Sequence, residues 1–287
     1  MPSWSNKPSG TMTAAVLTSL GAHPPSACFT IDQAYPKPTL PSGDWVLVRV
    51  RAAGLNRAEL RGRNGDAPAP AEFGISTSEY HEDPPKILGE KSVGTVETAG
   101  ASTPFHPGDP VAGWVYGGGK AHDGAYAQYT LCHSRRRFPI PPTSLPWDVL
   151  GGIFTSMWTA WGSLFDAAEP NRGSTLLVHG GTSSLSLWAI LLATDHPCTV
   201  IATTRQEDKA AKLQDAGAHH VLLESDLDAR LRPPVPKGAD RILEPVGPAQ
   251  ILNVALPHLA RRRDGRAVQG VEPGPTSRRR TSRRRGT

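Results

Sequence analysis

A segment rich in glycine and hydroxyl side chains separates an apolar run ending at Val178 from an amphipathic run. After His179, its residues are Gly180, Gly181, Thr182, Ser183, Ser184 and Leu185. At a strand-to-helix turn, free N–H groups and the positive end of the helix dipole favour a pyrophosphate. Gly180 lets the backbone approach a ligand closely. The segment predicts a dinucleotide site; a turn merely capped by Thr182 or Ser183 is the alternative, since serines replace fingerprint glycines.

The next apolar run ends in side chains that suit a phosphate. Thr203, Thr204 and Arg205 close this run, and Lys209 follows one helical turn later. In a dinucleotide-binding fold, the adenosine ribose lies at this position. An acidic residue there selects NAD, whereas hydroxyl and cationic groups suit a 2′-phosphate. The segment predicts NADP(H) as the cofactor, and solvated charges at the start of a surface helix are the alternative.

Both segments belong to a stretch that alternates strands and helices after Trp147. The patterns predict strands over 174–179, 199–203, 221–223 and 241–243, and helices over 184–194, 206–216 and 249–260. Residues 266–268 can add a weak strand. This alternation is typical of a parallel sheet with crossover helices.

The first half of the chain has a different pattern of short, β-rich apolar runs cut by Pro and Gly. Strands are expected over 12–17, 45–50, 92–98, 111–115 and 125–131, and a surface loop over 72–85. Such a pattern predicts a small barrel-like β domain. We therefore place a domain boundary between residues 146 and 147.

Composition narrows the class of protein. The chain has 287 residues and a net charge of +5, but ten arginines and two acidic residues lie in 261–287, so the rest is mildly acidic. The three cysteines, Cys28, Cys132 and Cys198, form no CxxC pair, which argues against a disulfide framework or a thiolate zinc site. With no apolar run long enough to span a membrane, we expect a cytoplasmic protein.

Several motifs in the same order resemble the medium-chain dehydrogenase/reductase superfamily, in its zinc-independent quinone oxidoreductase branch. The resemblance covers roughly residues 12 to 260. The motifs are AAGLNRAEL at 52–60, LGE at 88–90, VGTV at 93–96, FHPGDPV at 105–111, DGAYAQY at 123–129, TAW at 159–161, VHGGTSS at 178–184 and VIATTR at 200–205.

This resemblance implies an α/β protein with a GroES-like β-barrel domain over 1–146 and a Rossmann domain, a doubly wound parallel sheet, over 147–262. NADPH would reduce a small-molecule quinone, enone or aldehyde by hydride transfer in the cleft between them. Relatives often form homodimers, so the resemblance also suggests a homodimer for this chain.

The resemblance also points to individual residues. It places Asn56 as a donor near the substrate or the nicotinamide amide, Thr159 near the nicotinamide, and Val246 and Gly247 along the cofactor. Each has a plainer alternative, because Asn56 can satisfy turn backbone, Thr159 can pack in a helix, and Gly247 can end a strand. Trp158 and Trp161, at helical spacing, are expected in the core rather than stacked on substrate.

Zinc members of the family place a Cys or similar ligand near Asn56 and a His after the glycine at Gly89. Here Glu90 and Lys91 follow Gly89, and the cysteines of a structural zinc lobe are missing. The scattered histidines His81, His106, His122 and His133 lack ligand spacing. No metal is expected.

After Ala260 the family normally continues through further strands, whereas this chain becomes rich in Arg, Pro and Ser. The sequence predicts a truncated Rossmann domain, a disordered tail over 263–287, and impaired activity. The alternatives are a noncatalytic NADPH-binding or interaction protein, or nucleic-acid binding through the arginines of 278–285. Nucleic acid is disfavoured, because no aromatic residue is interleaved with these arginines for base stacking.

Overall fold

The computed structural model describes residues 10–65, 83–115, 118–227, 231, 236–247, 256–260 and 266–269. They form two compact units that divide between Thr155 and Ser156. This division falls inside a helix that begins at Trp147, where the sequence predicts the boundary.

The first unit consists of eight strands and one α-helix among the residues described. In chain order they are β1 (Thr11–Leu17), β2 (Phe29–Pro36), β3 (Trp45–Ala52), α1 (Arg57–Asn64), β4 (Lys86–Ile87), β5 (Lys91–Ala99), β6 (Pro110–Trp114), β7 (Tyr129–His133) and β8 (Arg137–Pro139). One sheet has the order β2-β1-β4 and the other the order β7-β3-β5-β6-β8. All neighbouring strands run antiparallel.

Alternating burial explains these strands. Along β1, Met12, Ala14 and Val16 point inward, while Val46 and Val48 of β3 join another apolar cluster. The strands predicted over 12–17, 45–50, 92–98 and 111–115 are confirmed to within two residues.

The strand predicted over 125–131 begins only at Tyr129, so its first half is wrong. The amides of Ala125 and Tyr126 donate instead to the carbonyls of Gly89 and Leu88. The sequence patterns missed β2, β4, β8 and α1. Most of the predicted loop over 72–85 lies outside the described residues.

The second unit begins within α2 (Trp147–Trp161), which continues as a π-helical segment over Gly162–Ala168. The elements that follow are β9 (Thr175–Val178), α3 (Ser184–Asp195), β10 (Thr199–Thr204), α4 (Ala210–Asp215), β11 (His220–Leu223), β12 (Arg241–Glu244) and β13 (Arg266–Gln269). Short 3₁₀ turns cover Glu207–Lys209, Glu224–Asp226 and Leu256–His258. The strands form one parallel sheet in the order β11-β10-β9-β12-β13.

Both faces of this sheet are covered, as a parallel sheet requires. Leu176 and Val178 of β9 pack with Ile190 of α3 on one face, while Leu177 packs with Leu227 and Leu231, which lie outside the strands, on the other. The α/β fold class and the predicted strand positions are confirmed.

Two predicted helices of the second unit differ from the structure. The helix predicted over 206–216 is a 3₁₀ turn followed by the shorter α4. Of the helix predicted over 249–260, residues 249–255 lie outside the described residues, and 256–258 form a 3₁₀ turn.

A strand lies inside the predicted tail. β13 pairs with β12, and the guanidinium of Arg266 lies 2.8 Å from the Glu169 carboxylate. The weak strand predicted over 266–268 is confirmed, and the disorder predicted from residue 263 onward is wrong for β13. Residues 270–287 lie outside the described part of the chain. Within that part, no helix is both long and apolar enough to cross a membrane.

Candidate functional site

The turn after β9 is held by a residue of the neighbouring strand. Gly180 has a φ of +64°, a conformation that glycine adopts without strain. Its N–H donates to Thr203 Oγ1 at 2.9 Å, and the N–H of Gly181 donates to the Thr203 carbonyl at 2.7 Å. These two amides therefore support the turn itself, and other amides must meet a ligand.

Two serines complete the turn and start the helix. Ser183 is the N-cap of α3, since its Oγ accepts the N–H of Ser186 at 3.1 Å. The buried Ser186 hydroxyl donates back to the Gly180 carbonyl at 2.9 Å. A hydroxyl thus occupies a position where a regular fingerprint would have glycine, and it fastens the turn to the helix.

The first backbone N–H groups of α3 have no hydrogen-bond partner within the helix. Ser184 and Leu185 are its first two residues, so their N–H groups have no preceding carbonyl within the helix. Thr182, Ser183 and Ser184 are exposed, whereas the Leu185 side chain packs against the core. The exposed amides and the helix dipole together suit an anion.

A cavity of about 390 Å³ opens beside this turn. Its lining residues are Thr182 from the turn and Thr204, Arg205 and Gln206 from the end of β10. The Thr204 hydroxyl donates to the Gln206 carbonyl and accepts its N–H, both at 3.1 Å. Arg205 is exposed and makes no ion pair with the part of the chain that the structure describes, so its charge can meet an anion in this cavity.

Two of the predicted phosphate-binding residues lie elsewhere. The Thr203 side chain is buried and holds the turn, so it does not line the cavity. Lys209 ends the 3₁₀ turn, with its Nζ 3.2 Å from the Asp208 carboxylate, and it does not line the cavity either. The register of β10 places the Thr203 side chain in the interior. Lys209 lies in a 3₁₀ turn where the sequence predicts an α-helix.

Val246 and Gly247 follow β12 and lie beside the glycine turn. A Cβ added to Gly180 would come within 2.5 Å of Val246 Cγ2, and the positive φ at this position favours glycine. The Val246 N–H donates to Glu244 Oε1 at 2.6 Å. The other oxygen of Glu244 lies 2.5 Å from His179 Nδ1. Val246 therefore contacts the turn and is held by a buried carboxylate.

In the first unit, Asn56 caps α1 within a buried polar cluster. Its backbone N–H donates to Glu59 Oε2 at 2.6 Å, and the Glu90 N–H donates to Glu59 Oε1 at 2.9 Å. The Tyr126 hydroxyl adds a bond of 2.5 Å to Glu59 Oε2. The amide nitrogen of the Asn56 side chain is buried with no hydrogen-bond partner among the described residues. Asn56 thus satisfies turn backbone and also presents an unused donor.

Burial decides the electrostatics of this cluster. It raises the pKa of Glu59, although the bonds from Tyr126, Glu90 and Asn56 offset part of the shift. Burial and the neighbouring Glu59 carboxylate also raise the pKa of Tyr126. Tyr126 therefore remains a neutral donor at physiological pH.

The zinc site of the resembling family does not fit these residues. Both oxygens of Glu59 already accept hydrogen bonds. Lys91 is 2% exposed, and its Nζ would lie 2.7 Å from a Cβ placed on Gly54, so an ammonium group occupies this neighbourhood. Among the described residues, no group of three His, Cys, Asp or Glu side chains could hold a metal ion.

Thr159 belongs to the second unit, where its side chain is buried in α2. The prediction that Trp158 and Trp161 lie in the core is wrong, because they are 38% and 50% exposed. The Trp161 ring lies 5.5 Å from that of Phe165, so it packs against the π-helical segment that continues α2.

Sequence patterns missed His179, Glu244, Glu59 and Ser186. His179 ends the strand predicted over 174–179, and Glu244 directly follows the one predicted over 241–243. An ionisable residue at the end of a predicted buried strand was the available signal. Glu59 lies three residues after Asn56, the spacing of a capping box, which could have identified that contact.

Family models match both halves of the chain. Residues 42–142 match the model described as "Alcohol dehydrogenase GroES-like domain". Residues 184–276 match the model described as "Zinc-binding dehydrogenase". The first match lies in the antiparallel unit, and the second covers the parallel sheet from α3 onward.

A "Probable quinone oxidoreductase" of Leishmania amazonensis is 30% identical over 223 residues, which cover 75% of this chain and 58% of that protein. The chain therefore spans less than two thirds of this relative.

Two solved structures share the fold of this chain. An NAD-dependent alcohol dehydrogenase is 25% identical with a TM-score of 0.75, covering 90% of this chain and 77% of its own. A mycobacterial protein in complex with NADPH is 25% identical with a TM-score of 0.70, covering 87% of this chain and 71% of its own. With both halves matched in the family's order, the chain belongs to the medium-chain dehydrogenase/reductase superfamily, in its quinone oxidoreductase-like branch.

Proposed function

We propose that this protein is an NADP(H)-dependent oxidoreductase that transfers a hydride to a quinone, enone or aldehyde. The observation that carries the proposal is the cavity lined by Thr182, Thr204, Arg205 and Gln206 beside the Gly180 turn. Its volume of about 390 Å³ lies within the usual range of small-molecule sites.

The pyrophosphate is assigned to the start of α3. The amides of Ser184 and Leu185 lie at this position without a carbonyl partner inside the helix, and the dipole of a twelve-residue helix adds positive potential. Because Gly180 has no Cβ, the turn can pass close to Val246 without a clash. The residues present thus fit a dinucleotide.

The choice of NADP(H) rests on charge. A 2′-phosphate is matched by the Arg205 guanidinium and the Thr182 hydroxyl, and none of the described residues that line the cavity offers a carboxylate to a ribose 2′-OH. The Asp208 carboxylate nearby is paired with Lys209. Related structures bind either NAD or NADPH by their descriptions, so this choice depends on the cavity's own residues.

The coenzyme, when bound, supplies the hydride. The chain's task is then to hold the reactants and to stabilise the oxygen of the substrate as it gains negative charge. The buried amide nitrogen of Asn56, which has no hydrogen-bond partner in the described part of the chain, is the proposed donor to that oxygen. Thr159 is proposed as a second positioning group. No protein nucleophile is required.

Fluorescence titration with NADPH and NADH tests the cofactor. Arg205→Gln should weaken NADPH binding by about tenfold or more, because one charge-assisted contact is lost, while NADH binding stays nearly unchanged. Lys209→Gln is the matched control, since this lysine does not line the cavity. Equal losses for both coenzymes, or none, would contradict the assignment of Arg205.

Quinone-dependent oxidation of NADPH tests the reaction. Turnover with a quinone, an enone or an aldehyde identifies the substrate class. Binding without turnover would instead indicate a noncatalytic NADPH-binding protein. Homodimer formation is a further proposal, which sedimentation of the full chain measures directly.

A further inference from the structure

Three ionisable side chains outside the proposed phosphate contacts lie at the carboxyl ends of the parallel strands. His179 follows β9, Glu244 ends β12, and Glu224 follows β11. His179 and Glu244 are fully buried. His179 Nδ1 lies 2.5 Å from Glu244 Oε2, and its Nε2 lies 3.6 Å from Glu224 Oε1. The imidazole ring is therefore placed between two carboxylates.

Charge is what holds this arrangement together. Neither ring nitrogen makes a hydrogen bond of regular geometry with the described residues. Burial by itself lowers the pKa of His179, but Glu244 and then Glu224 outweigh that effect and raise it above the usual histidine value. Glu244 and Glu224 are the carboxylates that face the two ring nitrogens among the described residues. A protonated His179 supplies the counter-charge that a buried Glu244 requires.

His179 and Glu244 are connected to the glycine turn at two points. The backbone N–H of His179 donates to the Leu243 carbonyl at 3.0 Å, which joins the ends of β9 and β12. Glu244 Oε1 holds the amide of Val246, and the Val246 side chain lies against Gly180. A change in the Glu244 carboxylate would therefore reach the turn through Val246.

We propose that His179 and Glu244 are positioning residues of the dinucleotide site. The protonated ring fixes one oxygen of Glu244, so that the other oxygen keeps Val246 against Gly180 and the turn stays shaped for a pyrophosphate. This inference rests on the proposed dinucleotide binding. Loss of the ring proton leaves the buried carboxylate without a counter-charge, frees Val246, and lowers affinity for the coenzyme.

The test measures NADPH and NADH dissociation constants of the full chain between about pH 6 and about pH 9. NADH is included because it lacks the 2′-phosphate, which itself titrates at about pH 6 and would add to the pH dependence of NADPH binding. For the wild-type protein, we expect affinity for both coenzymes to fall as pH rises through the pKa of His179. His179→Gln should bind about tenfold more weakly at low pH and show no such pH dependence.

Glu244→Gln separates charge from hydrogen bonding. Glutamine retains an oxygen for the Val246 amide but removes the charge that His179 faces, so a loss similar to that of His179→Gln is expected. Glu224→Gln is the milder variant, because Glu224 is farther from the ring and partly exposed. It should keep the affinity at low pH and move the midpoint of the profile to lower pH. His220→Gln, an exposed histidine at the start of β11, is the control.

A positioning role predicts a higher KM for the coenzyme with kcat unchanged at saturation, whereas general damage to the fold would lower both kcat and the amount of folded protein. Wild-type binding retained in His179→Gln, with the same pH profile, would overturn the inference and leave the proposed function intact. If the wild-type protein binds neither coenzyme, the proposed function fails and this inference fails with it.

Discussion

Each unit contains a buried glutamate that holds backbone amides next to a candidate binding segment. In the first unit, Glu59 accepts hydrogen bonds from Asn56, Glu90 and Tyr126, all of them neutral donors. In the second unit, Glu244 accepts one amide and faces the imidazole of His179. The first carboxylate is satisfied by hydrogen bonds alone, and the second is balanced by an ionisable base.

This difference determines which group responds to pH. In the first unit the acid itself has the raised pKa, because burial outweighs its hydrogen bonds. In the second unit the raised pKa belongs to the base. A raised folded-state pKa contributes stability that is present below the unfolded value and is lost as pH rises. As pH rises, the contribution to folding stability therefore begins to be lost near pH 4.5 for Glu59 and near pH 6.5 for His179.

The largest expected effect concerns the turn of the second unit. Gly180→Ala forces a side chain into the left-handed region and against Val246, at a cost of about 1–2 kcal/mol before any clash is relieved. We expect dinucleotide affinity to fall by at least about tenfold in fluorescence titrations. Gly152→Ala in α2 is the control, since its added Cβ meets nothing within 4 Å. Unchanged affinity in Gly180→Ala would remove the turn from the site.

Glu59→Gln tests the hydrogen-bonded carboxylate. It should lower the free energy of unfolding by about 1–3 kcal/mol, because a glutamine cannot accept all three donors. In denaturant titrations, the difference from the wild-type protein should shrink as pH rises above 4.5.

Glu97→Gln is the matched comparison for Glu59→Gln. Burial favours a higher pKa for Glu97, but Lys37 and Arg49 outweigh it and lower the value. Its contribution to stability should therefore be lost as pH falls, and it should be no more than about 1 kcal/mol. Identical pH profiles for the two variants would contradict the comparison.

Tyr126→Phe removes only one donor from Glu59 and should cost about 1–2 kcal/mol of stability. Tyr35→Phe loses a similar bond of 2.7 Å to Asp123 but lies in a less buried site, so a smaller loss is expected. The double variant Glu59→Gln with Tyr126→Phe should lose less than the sum, because the two side chains contact each other. Strict additivity in thermal or denaturant unfolding would argue against their coupling.

The smallest expected effect is that of Ser186→Ala. The lost bond to the Gly180 carbonyl is worth about 0.5–1.5 kcal/mol, and the turn keeps its two bonds to Thr203. Affinity for NADPH should fall only about twofold to threefold. Ser225→Ala, on the exposed surface, serves as the control in the same titration. A loss as large as that of Gly180→Ala would mean that Ser186 touches the ligand.

Local patterns were sufficient for much of the second unit. The apolar run of β9, the glycines that follow it and the serine cap of α3 are adjacent in sequence, so their turn could be predicted without distant contacts. Arg205 was also placed correctly beside that turn, because it directly follows β10. Thr203 and Lys209 could not be placed, since strand register and the length of the next helix decide where their side chains point.

The sequence by itself determined the α/β alternation, the position of the glycine turn and the charge that follows β10, because each depends on neighbours along the chain. Only the tertiary structure decided that Tyr126 meets Glu59, 67 residues away, and that His179 faces Glu244. Such pairs depend on which strands lie side by side and in which register. Burial then makes an unpaired charge costly, so the fold itself selects the partner that each buried carboxylate keeps.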